Sequence, residues 1–261
     1  MDNKKLRSTD PKDFQELSQP IGAMSKKFDD GSEIPLHTHA RDQLLYARNG
    51  VMRLLTERDA WVVPPDRAIY IPAQTTHAVN IHGDVDMRTL YIDTNTTDNG
   101  ARDLCVIAVS NLLRELILSL SEEPIEYAKD SRAGIISQLI ECEIIDAREE
   151  SLSIPLPKDA RLQRLCAELL ADTSDRRTLE GWSEVCGAST RTLARLFESE
   201  LGMSFNQWRQ RIRFYNALEA LSYGEPISEV ARQNGYQSAS AFSAAFAKVI
   251  GTPPSKVALR D

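Results

Sequence analysis

Long apolar runs are missing from this sequence: no segment approaches the roughly 18 consecutive apolar residues of a membrane span, which excludes a spanning helix. The N-terminal stretch from Met1 to Lys12 is polar and mixed in charge, without the apolar core of a signal peptide, so a cytoplasmic location is expected. Cysteine is scarce and scattered. Cys105, Cys142, Cys166 and Cys186 form no CxxC pair, which argues against a disulfide framework or a structural zinc site and leaves reduced core thiols. An excess of positive charge is also absent: the net charge of −7 argues against a nucleic-acid binder, because phosphate contacts need Lys and Arg. The distribution reverses that inference. From Lys158 onward there are 14 basic and 12 acidic residues, against 17 and 26 before it, so the acidity belongs to the first part. A locally basic stripe in the nearly neutral remainder is compatible with DNA.

What is present suits two globular domains of an α+β protein: 261 residues, 42% hydrophobic and 26% charged. Between Asp42 and Asp93, short β-branched and aromatic runs alternate with Gly, Pro and Asn. Segments 43–48 and 51–56 flank Asn49-Gly50, a dipeptide suited to a tight hairpin turn. So many short strands predict a sandwich or barrel over residues 1–99. After Asn99 the period changes. Val109, Leu112, Leu113, Leu116, Ile117 and Leu120 share one helix face, and a second helix over 130–150 carries Ile136, Leu139, Ile140 and Ile144. These flanking helices, 100–150, pack either on the barrel or on a second subunit in a homodimer. Prolines at 155 and 157 mark 151–158 as a linker.

Residues 159–261 read as helical throughout and contain an internal repeat. In the first copy a short helix from Leu179 meets Gly187-Ala188, and Ser189 caps a helix carrying Leu193, Leu196, Phe197 and Leu201 before Gly202. In the second, 227–233 meets Gly235-Tyr236, and Ser238 caps a helix carrying Phe242, Phe246 and Ile250 before Gly251. One long helix, 205–222, joins them. Helix, tight turn and Ser-capped helix form the unit that sets a helix N-terminus into the DNA major groove. Off the apolar stripe stand Thr190, Arg191, Thr192 and Arg195 in the first copy, with donors for base edges and phosphates. The second offers Gln237, Ala239, Ser240, Ser243, Ala244 and Lys248, a set poorer in charge and expected to discriminate less. The strings "STRTLARLFESELGMSFNQWRQRIRFYNALEAL" and "PISEVARQNGYQSASAFSAAFAKVIGTPP" resemble the DNA-binding domain of AraC/XylS-type bacterial regulators. That resemblance implies two recognition helices entering successive major-groove segments on one face of double-stranded DNA. After Thr252-Pro253 this chain has Val257 and Ala258 where the family usually has an aromatic and an arginine.

Of the four histidines, His37, His39 and His77 fall in the strand-rich part and His82 stands apart. Imidazoles at i and i+2 of one strand point to the same side, and a third from a neighbouring strand completes a facial set for Zn, Ni, Mn or Fe. Their setting resembles the cupin signature: Gly31, then His37-Thr38-His39, Gln43 and Gly50, then Pro72 and His77. Gln43 stands where that family usually has Glu, and Asp66 and Gln74 where its second motif has glycines. Three readings stay open for His37, His39, Gln43 and His77: ligands to a divalent metal ion, polar walls of a small-molecule site, or a purely structural cluster. Tyr46 and Trp61 are further effector-site candidates, with Leu36, Tyr70 and Tyr91 on or beside predicted strands.

These features converge on a one-component transcription regulator rather than an enzyme: an effector in the barrel changes how two helix-turn-helix units fit DNA. RNA polymerase is a partner if the protein activates, and no membrane is involved. A metal-dependent cupin enzyme is the alternative, disfavoured because the nearest acids, Glu33 and Asp42, are expected in loops. A helical interaction module without DNA is disfavoured by the duplicated Ser-capped units.

Overall fold

A computed structural model describes residues 8–93, 102–150 and 152–257. By contacts the chain forms two units, Met1–Leu54 with Val62–Leu152, and Leu55–Trp61 with Ser153–Asp261. The class is α+β, as expected, but among the described residues the strands form sheets rather than a closed barrel. The boundary expected at residues 99 and 100 lies outside the described residues.

In the first unit, β1 (Ile21–Phe28), β2 (Glu33–His37), β3 (Asp42–Ala47), β4 (Val51–Leu55), β5 (Asp59–Val63), β6 (Arg67–Ile71), β7 (His77–His82), β8 (Val85–Ile92) and β9 (Cys105–Ala108) follow one another before α1 (Asn111–Glu122) and α2 (Arg132–Asp146), with β5 shared with the second unit. A short strand β10 (Glu149–Glu150) then returns to β9. One antiparallel sheet runs β1-β8-β3-β6-β9-β10, and β4, β7 and β2 are successive neighbours in another. The expected hairpin at Asn49-Gly50 is therefore corrected: β3 and β4 lie in different sheets. Only Gly50 of that pair has positive φ, +74°, where a hairpin of type I′ needs two. Glycine is required there by space as well, because a Cβ would sit 2.5 Å from Val85 Cγ2 and 2.8 Å from the Asp84 carbonyl.

All six β3 residues are buried because both faces are covered. Leu44 and Tyr46 face the helices with Ile21, Tyr70, Leu90, Ile107, Leu113, Ile117, Ile136, Ile140 and Ile144, and the alternate residues face the other way. Ser110 and Ser131 cap α1 and α2 through side-chain oxygens that accept from Leu113 N and Gly134 N. Three expectations fail here. Leu112 and Leu139 are exposed, and α2 stops at Asp146 so that 149–150 can pair with β9.

The second unit contains 59–61 of β5 paired with β11 (Ser153–Pro155), so the expected linker 151–158 is partly strand. Then follow α3 (Ala160–Ala171), α4 (Leu179–Cys186), α5 (Thr190–Leu201), α6 (Phe205–Ser222), α7 (Ile227–Gln233) and α8 (Ala239–Ile250). Helix α6 serves both repeats. Phe205 and Trp208 sit against Phe197 of the first, and Phe214 against Phe242 and Phe246 of the second, all at edge-to-face angles. Such aromatic pairs add about 0.5–1.5 kcal/mol each beyond area burial. Trp208 Nε1 donates to the Pro155 carbonyl, satisfying the indole in the core. The thiols are free, but only Cys166 is buried; Cys142 is exposed, which corrects its assignment to the core. Among the described residues no helix is long and apolar enough to cross a membrane.

Candidate functional site

Two places gather chemistry. The first is built from the repeat. Gly187 closes α4 at φ +61°, and Gly235 follows α7 at φ +81°, left-handed values that let each chain turn sharply into its second helix. Ser189 then accepts from Thr192 N and Ser238 from Ala241 N. The repeated apolar positions coincide in burial: Leu193 and Phe197 in α5, Phe242 and Phe246 in α8, are each wholly inaccessible to solvent. Burying them turns the other faces outward. Ser189, Arg191 and Arg195 are exposed, while Thr190 and Thr192 are half-buried. The Thr192 hydroxyl is engaged with Ser189 Oγ at 2.9 Å, which leaves the two arginines as the extended donors of that face. In the second copy, Gln237 and Ser238 before α8 and Ser240, Ala244 and Lys248 on it are exposed, and Ala239 and Ser243 half-buried. Ser243 donates back to the Ala239 carbonyl at 2.7 Å.

The second place is a cavity of about 210 Å³ within the first unit, lined by His37, His39, Gln43 and His77. Met24, Leu45, Met87 and Tyr91 come from the larger sheet, and Ile34 and Val79 from β2 and β7. A bulge in β2 aims the cluster. Ile34 pairs with Val79 but His37 with His77, so one extra residue shifts the alternation and both Ile34 and His37 face inward. His39 lies past the end of β2, which corrects the expectation of two histidines on one strand. Nitrogens of His37, His39 and His77 all lie within 4.8 Å of one another.

Protonation follows from the partners. His37 Nδ1 is 2.7 Å from the Pro35 carbonyl and His77 Nδ1 2.8 Å from that of Thr75. A carbonyl only accepts, so in each ring Nδ1–H donates, which directs Nε2 toward the cavity as the nitrogen available to a ligand. Burial, with the neighbouring histidines adding to it, pushes His39 down to about 4. Burial does the same to His77, against the Thr75 hydrogen bond and with His37 helping. Both rings are neutral near pH 7. His39 Nε2, His77 Nε2 and Gln43 Oε1 are buried without a hydrogen-bond partner. Three such orphaned atoms around one small space are costly unless something fills it.

Two effector-site candidates are corrected. Tyr46 points to the helix-covered face of its sheet, because position 46 alternates with 43 and 45. Trp61 is buried in the second unit and does not line the cavity. Leu36 is exposed on the bulge, and Tyr70 donates to Asp42 in the interior. Asp42 is not in a loop: it opens β3, and its carboxylate also accepts from Ala73 N at 2.7 Å. Glu33 likewise opens β2, at the cavity rim. Sequence reading missed Met24, Leu45, Val79 and Met87. Alternation from Gln43 and His77 would have reached Leu45 and Val79.

Asp66 at φ +71° and Gln74 at +62° are the non-glycine residues with positive φ among those described. They are the two positions at which the resemblance to the cupin signature implies glycine, and both carry left-handed backbone here. Gln74 N donates to the His39 carbonyl at 2.8 Å, tying that loop to the cluster.

A cupin domain family matches residues 26–93, and a helix-turn-helix domain family matches residues 182–260. The HTH-type transcriptional regulator NimR of Escherichia coli strain K12 is 28% identical over 226 residues, 87% of this chain and 82% of that protein. The HTH-type transcriptional regulator RipA of Corynebacterium glutamicum is 34% identical over 101 residues, 39% of this chain and 30% of its own length. Among solved structures, ToxT from Vibrio cholerae aligns over 91% of this chain and 97% of that chain, with 12% identity and a TM-score of 0.37.

Proposed function

On the premise that this chain is an AraC-type transcription regulator with an N-terminal cupin domain, we propose that α5 and α8 read successive major-groove segments of one DNA site, under control of an effector held by the histidine cavity. The observation that carries the reading is the repeat itself: two Ser-capped helices with matching buried stripes and polar outer faces. Arg191 and Arg195 serve as base or phosphate donors, supported by Ser189, Thr190 and Thr192 at the helix start. Gln237, Ser238, Ala239, Ser240, Ser243 and Lys248 form the second, less charged reading face.

At about 210 Å³ the cavity is smaller than the roughly 300–1,000 Å³ of drug-sized sites, which favours a compact effector. The neutral His39 and His77 rings and the orphaned acceptors fit a divalent metal ion, with His37, His39 and His77 as its nitrogen ligands and Gln43 as a neutral oxygen donor. Such an ion would supply a positive centre for a small anionic or polar ligand. No catalytic role is assigned, since the Asp42 carboxylate is engaged by Tyr70 and Ala73. The protein acts in the cytoplasm, contacts RNA polymerase if it activates, and the helices of the first unit offer a homodimer surface.

Selection of genomic duplex fragments by the purified full chain at controlled salt, with metal analysis of the same sample, tests this. The expected result is a reproducible motif spanning two adjacent major grooves. Failure to enrich any sequence, together with stoichiometric bound metal, would overturn it in favour of a cupin enzyme.

A further inference from the structure

The second unit has a cleft of about 650 Å³ that neither reading face includes. Its lining draws on three parts of the unit: Thr173, Ser174 and Arg176 from the turn before α4, Arg209, Arg213 and Asn216 from α6, and Gln233, Asn234 and Gly235 from the end of α7. None of the lining residues is acidic. The two carboxylates next to the lining in sequence are both engaged: Asp172 accepts from Ser174 N and Oγ, and Asp175 is ion-paired with Arg177 while its charge also acts on Arg209 and Arg213.

Two of the three guanidiniums, those of Arg209 and Arg213, are held in place rather than left to disperse. Arg213 donates to the Thr173 and Asp175 carbonyls at 3.1 and 3.0 Å. Arg209 donates to the Arg177 carbonyl at 2.9 Å and lies over the Phe205 ring. Asn216 Nδ2 donates to Thr173 Oγ1 at 2.8 Å, fixing the opposite wall. Arg176 stands exposed at the rim. Burial, then the charges of Arg209 and Arg176, press the Arg213 pKa downward against the opposing pull of Asp175 and Tyr236, so the cations feel one another. Like charges assembled by hydrogen bonds to backbone, with no carboxylate among them, are stabilised when an anion enters.

The position narrows the anion. One wall leads into Thr178, the cap of α4 in the first helix-turn-helix unit; the other is the Asn234-Gly235 turn leading to Ser238 in the second. The floor is the helix that joins them. We propose that this cleft takes a phosphodiester of the DNA backbone between the two major-groove segments, with Arg176, Arg209 and Arg213 as its phosphate ligands; this rests on the DNA-reading function proposed above.

The test is duplex affinity of the full chain against salt, on a selected fragment and on a scrambled one, for wild type, Arg176→Gln, Arg176→Gln with Arg209→Gln, and, as a control in the first unit, the exposed Lys27→Gln. Loss of one phosphate contact is expected to reduce the slope of log K against log salt by about 0.9, and loss of two by about twice that. Affinity should fall by the same factor on both fragments, the selected motif should not change, and Lys27→Gln should behave as wild type. Arg176→Gln, at an exposed side chain, carries the test if the double variant unfolds. Slopes equal to wild type while sequence selection persists would overturn the cleft assignment and leave the regulator reading standing. A wild type that selects no sequence would instead remove that reading. Inorganic phosphate, titrated at fixed ionic strength, separates the remaining source: binding lost in Arg176→Gln with an unchanged DNA slope marks a free-phosphate site and overturns the proposal.

Discussion

The polar side chains of the cavity converge inward, whereas those of α5 and α8 stand outward, and the two arrangements carry different physical weight. An exposed arginine is solvated by water whether or not it binds anything, so Arg191 and Arg195 alone say little. A buried nitrogen without a partner is costly in every molecule that folds. The unpartnered His39 and His77 nitrogens therefore point to an occupant more directly than any surface charge does. What makes the outward face informative is repetition: the same cap, turn and buried stripe occur twice around one helix.

The contrast can be broken most completely at the cavity. His37→Ala combined with His39→Ala is expected to abolish the response to effector, and any bound metal, while DNA affinity stays at the wild-type level. Metal content and a reporter assay measure the first and fragment binding the second; retained induction would break the link between cavity and regulation. Next in size is the scaffold beneath the outward face. Phe246→Ala should cost about 3–5 kcal/mol of stability, read by denaturant unfolding, because its ring is wholly buried against Phe214 and Phe242. A loss below about 1 kcal/mol would mean that the second repeat does not share the α6 core.

Arg191→Ala should weaken operator binding by about 1–3 kcal/mol if its guanidinium reads a base, without altering the melting temperature, since it is exposed. Equal losses on operator and scrambled duplex would move it from base reading to phosphate contact. The smallest expected effect sharpens the inward side. Gln74→Gly should stabilise the fold by about 0.5–1 kcal/mol, the relief of a left-handed backbone exceeding the entropy that glycine adds to the unfolded chain. A lowered melting temperature would show instead that the Gln74 side chain supports the loop carrying His39.

Much of this was legible in the chain. The helix spans of the C-terminal unit follow from 3.6-residue periodicity bounded by Ser and Gly, because a cap and a left-handed terminus are local events. The histidine trio was legible from its cupin-like spacing. Tyr46 and Trp61 were not separable from true lining residues, since all are apolar strand positions and only sheet membership decides which side each faces. The arginine cleft carried a partial signal: Arg209 and Arg213 are one helical turn apart, but Arg176 reaches them from a turn distant in sequence.

By itself the sequence determined the helices of the C-terminal unit, the duplicated helix-turn-helix units, the buried aromatic positions of that repeat and the identity of the three histidines. These depend on periodicity, capping chemistry and residue kind, which are properties of neighbouring positions. Only the tertiary structure decided that β3 and β4 part into different sheets, that a bulge in β2 turns His37 toward His77, and that residues 153–155 pair with 59–61. It also decided which nitrogens are left without partners. Each of those depends on segments far apart in the chain meeting at one register, and a one-residue shift in register reverses the face that every side chain presents.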